Sequence, residues 1–250
     1  MIRPYFSLPL GMALCFLTLF LLFFSNALGL YLFSLPYLPT NSDLQTLIVF
    51  GSQNGTITAL SVMFTACVLL LFCGVSIYLK TRSFTRTKAF FNLGSFNVKT
   101  LTKYVIVMIF IIAFGELLMV FLDSSPMTFL DNLLTPASFW WLIITIVVVA
   151  PIYEEIVFRG LIFGIICSNH QTPPRWLGLN THELLAIAVS SSLFAMVHLQ
   201  YDVAGMMIIL ALGVLFCHAR IKHGLGLAVL LHFLNNALTM ITYLFFGGTL

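Results

Sequence analysis

Seven apolar runs, near residues 8–35, 56–79, 104–122, 137–168, 183–199, 203–219 and 224–247, take up most of this 250-residue chain. A helix needs about 20 mostly apolar residues to cross a hydrocarbon layer ~30 Å thick. The fifth and sixth runs are short for that task, and the fourth is long enough to tilt or break. With 60% hydrophobic residues, 25 Phe and only 8% charged residues, the chain cannot cover the surface of a soluble domain of this size. The expected fold is all-α, a polytopic transmembrane helix bundle of about seven spanning helices. The apolar core of the first run exceeds the roughly 7–15 residues of a signal peptide, and Ser25-Asn26-Ala27 is a weak cleavage site, so the run reads as an uncleaved anchor.

Charge sets the expected orientation. Of 11 Lys and Arg, Lys80, Arg82, Arg86, Lys88, Lys99 and Lys103 lie between the second and third runs. Arg3, Arg175, Arg220 and Lys222 fall on the same side of a seven-helix path. Positive loops stay in the cytoplasm, so the N-terminus is expected inside and the C-terminus outside. The opposite loops hold Asp43, Asp123, Asp131 and Asp202 without Lys or Arg. The net charge of +3 is thus a topology signal and attracts anionic lipid. It does not point to nucleic acid, because the basic stretch has no recognisable binding motif. Five cysteines, odd in number and without a C-x-x-C pair, read as small packing residues.

No loop is long enough for a soluble domain, and no internal repeat is visible. Residues 1–136 read as N-terminal membrane helices without a specific motif, and residues 137–250 as the part that carries chemistry. The segment Asn169 to Thr181, with Pro173-Pro174 and Gly178, reads as a loop.

The fourth run holds Glu154-Glu155-Ile156-Val157-Phe158-Arg159. Each such charge costs roughly 3 kcal/mol at the centre of a spanning helix, so the triplet marks a functional site by default. Glu155 and Arg159 stand at i and i+4, the spacing at which they pair, whereas Glu154 is rotated away. Glu154 is therefore the better candidate base, with Glu155 and Arg159 as a clamp. Pro151 is expected to kink the helix or to start a new segment there.

Two later runs add Phe194 and His198, then His232 and Asn236, each pair at i and i+4. Taken singly, either pair reads as ordinary inter-helix bonding. Together with Glu154 they supply a proton acceptor, an imidazole to orient water and donors for an oxyanion.

These three motifs resemble the CAAX protease and bacteriocin-processing family of glutamate-dependent intramembrane proteases. The family pattern E-E-x-x-x-R, F-x-x-x-H and H-x-x-x-N is matched at Glu154, Glu155 and Arg159, at Phe194 and His198, and at His232 and Asn236. The resemblance spans roughly Trp140 to Asn236. It implies a CPBP-like helical core over 137–250 and an endopeptidase acting on a membrane-associated protein or peptide, with or without a lipid modification. It also implies that Glu154 activates water with His198, that His232 and Asn236 stabilise the oxyanion, and that Glu155, Arg159 and Phe194 support the site. No cofactor is expected. Straight full-length helices would hold Glu154, His198 and His232 at different depths, so tilted or broken segments are expected.

Two alternatives stay open at this level. Glu154, His198 and His232 form a plausible zinc set with an open water position, although His182-Glu183-Leu184-Leu185-Ala186 only begins an H-E-x-x-H signature. The charged cluster, with Glu116 as a further intramembrane carboxylate, also suits a non-catalytic membrane partner or a transporter. The expected location is a bacterial plasma membrane.

Overall fold

The computed structural model describes residues 6–122, 128–167, 175–176 and 179–246. Arg3, Asp123, Pro173-Pro174 and Gly178 lie outside the described residues, as does the side chain of Arg175. The seven apolar runs are helices α1 (Leu8–Ser34), α3 (Gly55–Thr81), α5 (Val98–Phe121), α6 (Phe139–Cys167), α7 (Thr181–Met196), α8 (Val203–His223) and α9 (Leu225–Phe246). Six of them are long and apolar enough to cross a membrane. At about 1.5 Å per residue, the 16-residue α7 reaches roughly 24 Å. Two short helices were not expected, α2 (Leu44–Ser52) and α4 (Phe84–Phe91). A two-residue antiparallel pair, β1 (Arg175–Trp176) with β2 (Leu179–Asn180), leads into α7.

Most helix starts are written in the sequence as Asn, Asp or Ser caps that accept the first free backbone N–H groups. Asp43 caps α2, Asn54 α3, Ser83 α4, Asn97 α5 and Asp202 α8. Asn180 and Glu183 form a reciprocal capping box at the start of α7, so the carboxylate of the His182-Glu183 pair is used as a cap.

Small residues let α1 and α3 touch backbone to backbone. A Cβ on Gly29 would stand 2.9 Å from Cα of Ser61, and Ser61 Oγ donates to Asn26 O at 2.7 Å. This is small-residue packing of the kind used inside membranes. Gly160 and Gly164 of α6 similarly make a groove, in which a Cβ would stand 2.9 Å from the Phe91 ring and 2.7 Å from the Phe90 ring of α4. Helix α4 thus presses two aromatic rings against the half of α6 beyond the charged cluster. Val157, Phe158, Leu161, Ile162 and Ile165 are buried there with Phe6, Ile77 and Phe90.

The two ends of the bundle differ in charge. The α8–α9 turn bonds to the basic stretch, Leu225 N to Asn92 O at 2.7 Å and Gly226 N to Leu93 O at 2.9 Å. Arg220 and Lys222 therefore share an end with Lys80 to Lys103. At the other end Tyr243 OH donates to Asp131 at 2.6 Å and Phe129 meets Tyr201 edge-on at 5.6 Å. Asp43, Asp131 and Asp202 all lie at that end. All five cysteines are free; Cys73 and Cys217 are buried in packing roles, but Cys67 faces outward.

Candidate active site

Helix α6 is continuous, but it is wound wider than an α-helix over Thr145–Val149 and Ile156–Ile162, on either side of Ala150–Glu155. Such π-helical turns shift one helix face relative to the next and concentrate at functional sites. Pro151 sits at the first junction and does not break the helix. In the wide register Ala150 N donates to Thr145 O, so the next carbonyl, Ile146 O, would be served by the N–H that Pro151 lacks. Asn236 of α9 fills the vacancy, its Nδ2 donating to Ile146 O at 2.8 Å.

The expected clamp is present. Arg159 Nη1 donates to Glu155 Oε1 at 2.8 Å, with neither side chain accessible. The same oxygen lies 2.9 Å from His232 Nδ1, a contact not anticipated from spacing. Nη2 and Nε of Arg159 have no hydrogen-bond partner. The guanidinium lies instead over the Phe194 ring at 4.1 Å and the Phe216 ring at 5.5 Å, whose negative faces attract it. Phe194 turns its own ring edge-on to His198 and His232, at centroid distances of 4.7 and 5.5 Å. One aromatic ring thus positions the cation and both imidazoles.

Glu154 stands apart from the clamp. Its Oε1 accepts from Tyr153 OH at 3.1 Å, and its Oε2 lies 4.0 Å from His198 Nε2 and 3.7 Å from His232 Nε2. Neither separation is a direct hydrogen bond. The other nitrogen of each ring is already engaged. His198 Nδ1 is 2.6 Å from Phe194 O, which can only accept, so Nδ1 carries the hydrogen. His232 Nδ1 likewise faces a carboxylate. In their neutral forms both histidines therefore turn a lone pair towards Glu154. Three acceptors converge on one point, a place that suits a molecule with hydrogens to donate.

The depth problem is resolved by unequal helices. Helix α7 ends at Met196, so His198 sits in the turn after it, with Nε2 4.0 Å from Glu154 Oε2. His232 and Asn236 reach the same level from the α9 side.

All four residues line a cavity of about 580 Å³, within the range of small-molecule and peptide sites. Its walls include Tyr153, Tyr201 and Asn235, which sequence patterning did not single out. Tyr153 had a signal, as a phenol beside the key carboxylate in an apolar run. Helices α1 and α3 complete the wall through Leu22, Asn26, Thr58 and Val62. Glu116, on α5, is not among the lining residues.

The structure is a helix bundle with six helices long and apolar enough to cross a membrane, around a pocket lined by Glu154, His198, His232 and Asn236. Residues 136–238 match the family model of type II CAAX prenyl endopeptidase Rce1-like proteins, and all seven motif positions lie inside that segment. No curated protein and no solved structure matches the chain. The matched segment thus contains every residue that carries the likeness read from the motifs.

Proposed function

We propose that this protein is an intramembrane endopeptidase that hydrolyses a peptide bond of a membrane-associated protein or peptide with water activated by Glu154. The observation that carries the reading is the convergence of Glu154 Oε2, His198 Nε2 and His232 Nε2 on one point of a largely apolar cavity. A water there donates its hydrogens to Glu154 and His198 and turns its lone pair to a carbonyl carbon. As the C–O bond forms, Glu154 takes a proton. When the C–N bond breaks, that proton passes to the leaving amine.

The oxyanion needs donors. Asn236 keeps one amide hydrogen after serving Ile146 O. His232, whose Nε2 faces the same point, is the second group we assign to the oxyanion. Glu155, Arg159 and Phe194 orient His232 and His198 in this scheme.

A zinc-dependent mechanism uses the same three groups. The donor types suit zinc, but ligands at about 2.0–2.1 Å from one tetrahedral ion stand roughly 3.3 Å apart, closer than the 3.7 and 4.0 Å of these pairs. We assign the chemistry to the side chains, and chelation tests the zinc alternative. The clamp reading, a non-catalytic partner or transporter, accounts for Glu155 and Arg159 but leaves Glu154 without a purpose.

On this reading residues 137–250 form the catalytic core and residues 1–136 complete the substrate wall. The protein resides in a bacterial plasma membrane with its N-terminus in the cytoplasm, and nucleic acid is no partner. The test is terminal-peptide mass spectrometry on membranes from cells expressing the native chain or Glu154→Ala at equal levels. Termini present only with the native chain support proteolysis and name the substrate, whereas identical profiles, in cells where deletion of the protein has a phenotype, favour the non-catalytic partner.

A further inference from the structure

We infer that the catalytic cavity opens only to the non-cytoplasmic face of the membrane, so that its substrate is a peptide segment presented on that side. The direction follows from which residues form the wall. Apart from the catalytic groups and a floor of Phe158, Leu212 and Phe216, the lining runs from mid-helix residues to the chain segments at one end of the bundle, Ser52 and Gln53 before α3, Phe129 and Asn132 before α6, and Gln200 and Tyr201 before α8. These are the chain segments of the Asp43, Asp131 and Asp202 end. Neither the basic stretch Lys80–Lys103 nor the Arg220–Lys222 turn contributes to the lining.

The other direction is closed. Below Glu154 the next turns of α6 are fully buried at Val157, Phe158, Leu161 and Ile162, and Phe90 of α4 packs against that layer. An apolar layer without a gap does not pass a peptide backbone, whose polar groups need partners along the whole route. The sealed end carries the excess of Lys and Arg and is therefore cytoplasmic.

This restricts the substrate class. A lipid-modified cytoplasmic C-terminus, the substrate that the name of the matched family brings to mind, would meet the sealed end. A translocated peptide, or the outer part of a membrane protein, meets the open one. Asp131 and Asp202 adjoin the lining residues Asn132 and Tyr201, and no Lys or Arg lies at this end among the described residues. The mouth consequently disfavours acidic segments.

That the entering molecule is a peptide rests on the proteolytic reading; the direction of opening does not, and it is tested without any activity. In intact spheroplasts, single-cysteine variants Gln53→Cys at the mouth, Val62→Cys on the cavity wall and Lys88→Cys at the basic end are compared in a Cys67→Ser background. The probe is the small impermeant anion 2-sulfonatoethyl methanethiosulfonate. The expected result is modification of Gln53→Cys and Val62→Cys at least tenfold faster than Lys88→Cys, with only Lys88→Cys gaining on permeabilisation. Two results overturn the inference. One is Lys88→Cys reacting from outside while Gln53→Cys needs permeabilisation; the other is Val62→Cys staying inert from outside while Gln53→Cys reacts. Either leaves the chemistry proposed for Glu154 standing.

Discussion

His232 Nδ1 and Glu155 lie 2.9 Å apart, on the carboxylate oxygen that also receives Arg159. One buried oxygen therefore holds both the buried guanidinium and the imidazole that faces Glu154. Removing it should disturb stability and chemistry together. Glu155→Ala leaves a guanidinium buried without its counter-charge, a loss of about 3–5 kcal/mol for a buried pair broken on one side. Thermal unfolding in detergent should show a large fall in Tm for Glu155→Ala and a smaller one for Glu155→Gln, which keeps an acceptor. Equal Tm values for Glu155→Ala and the native chain would contradict the clamp.

The proposed mechanism gives Asn236 a second duty beside its bond to Ile146 O, and the two separate by a mutant cycle. Asn236→Ala orphans Ile146 O, at about 1–3 kcal/mol for an unsatisfied buried group. Pro151→Ala supplies the missing N–H from within α6. The destabilisation by Asn236→Ala should therefore shrink when Pro151 is already Ala, a coupling readable as non-additive Tm shifts. Activity should stay low in the double variant, since the second amide hydrogen of Asn236 is not replaced. Additive shifts would sink the link between Pro151 and Asn236.

Tyr153 OH donates to the oxygen of Glu154 that does not face the histidines. Tyr153→Phe removes a hydrogen bond to a charged group, about 1.5–3 kcal/mol. Cleavage by Tyr153→Phe should drop roughly tenfold or more, with a fall in Tm smaller than that of Glu155→Ala. An unaltered rate would mean that Glu154 is oriented by its neighbours on α7 and α9 alone.

The proposed mechanism uses side chains alone, so incubation of purified protein with a strong chelator should leave cleavage intact. Loss of activity on chelation, restored by zinc, would transfer the chemistry to a metal held by Glu154, His198 and His232.

The sequence foretold what depends on local geometry. Pairing of Glu155 with Arg159 follows from one turn of helix, and the separation of Glu154 from that pair follows from the same rotation. Apolar run lengths located all seven main helices, and capping residues marked most of their starts. What patterning missed depends on packing between distant segments. The wide turns of α6 fall in a run that is apolar on nearly every face, so the shift leaves no trace in its pattern, and the bond from Asn236 to Ile146 joins residues 90 positions apart. Helix α4 hid in a stretch read only for its charges, although Phe84, Phe90 and Phe91 after the Ser83 cap were a usable signal. The depth conflict among Glu154, His198 and His232 was visible, and its cause, an α7 that stops at Met196, required the third dimension.

The central claim is that Glu154 acts in chemistry and Glu155 in architecture. The most direct test measures cleavage of a substrate identified by its termini, together with Tm, for Glu154→Gln and Glu155→Gln side by side. The account predicts that Glu154→Gln keeps its Tm and loses cleavage by on the order of 10³-fold or more, within the 10²–10⁴ range of acid–base catalysis, while Glu155→Gln loses Tm as well as cleavage. Substantial cleavage by a well-folded Glu154→Gln would contradict it.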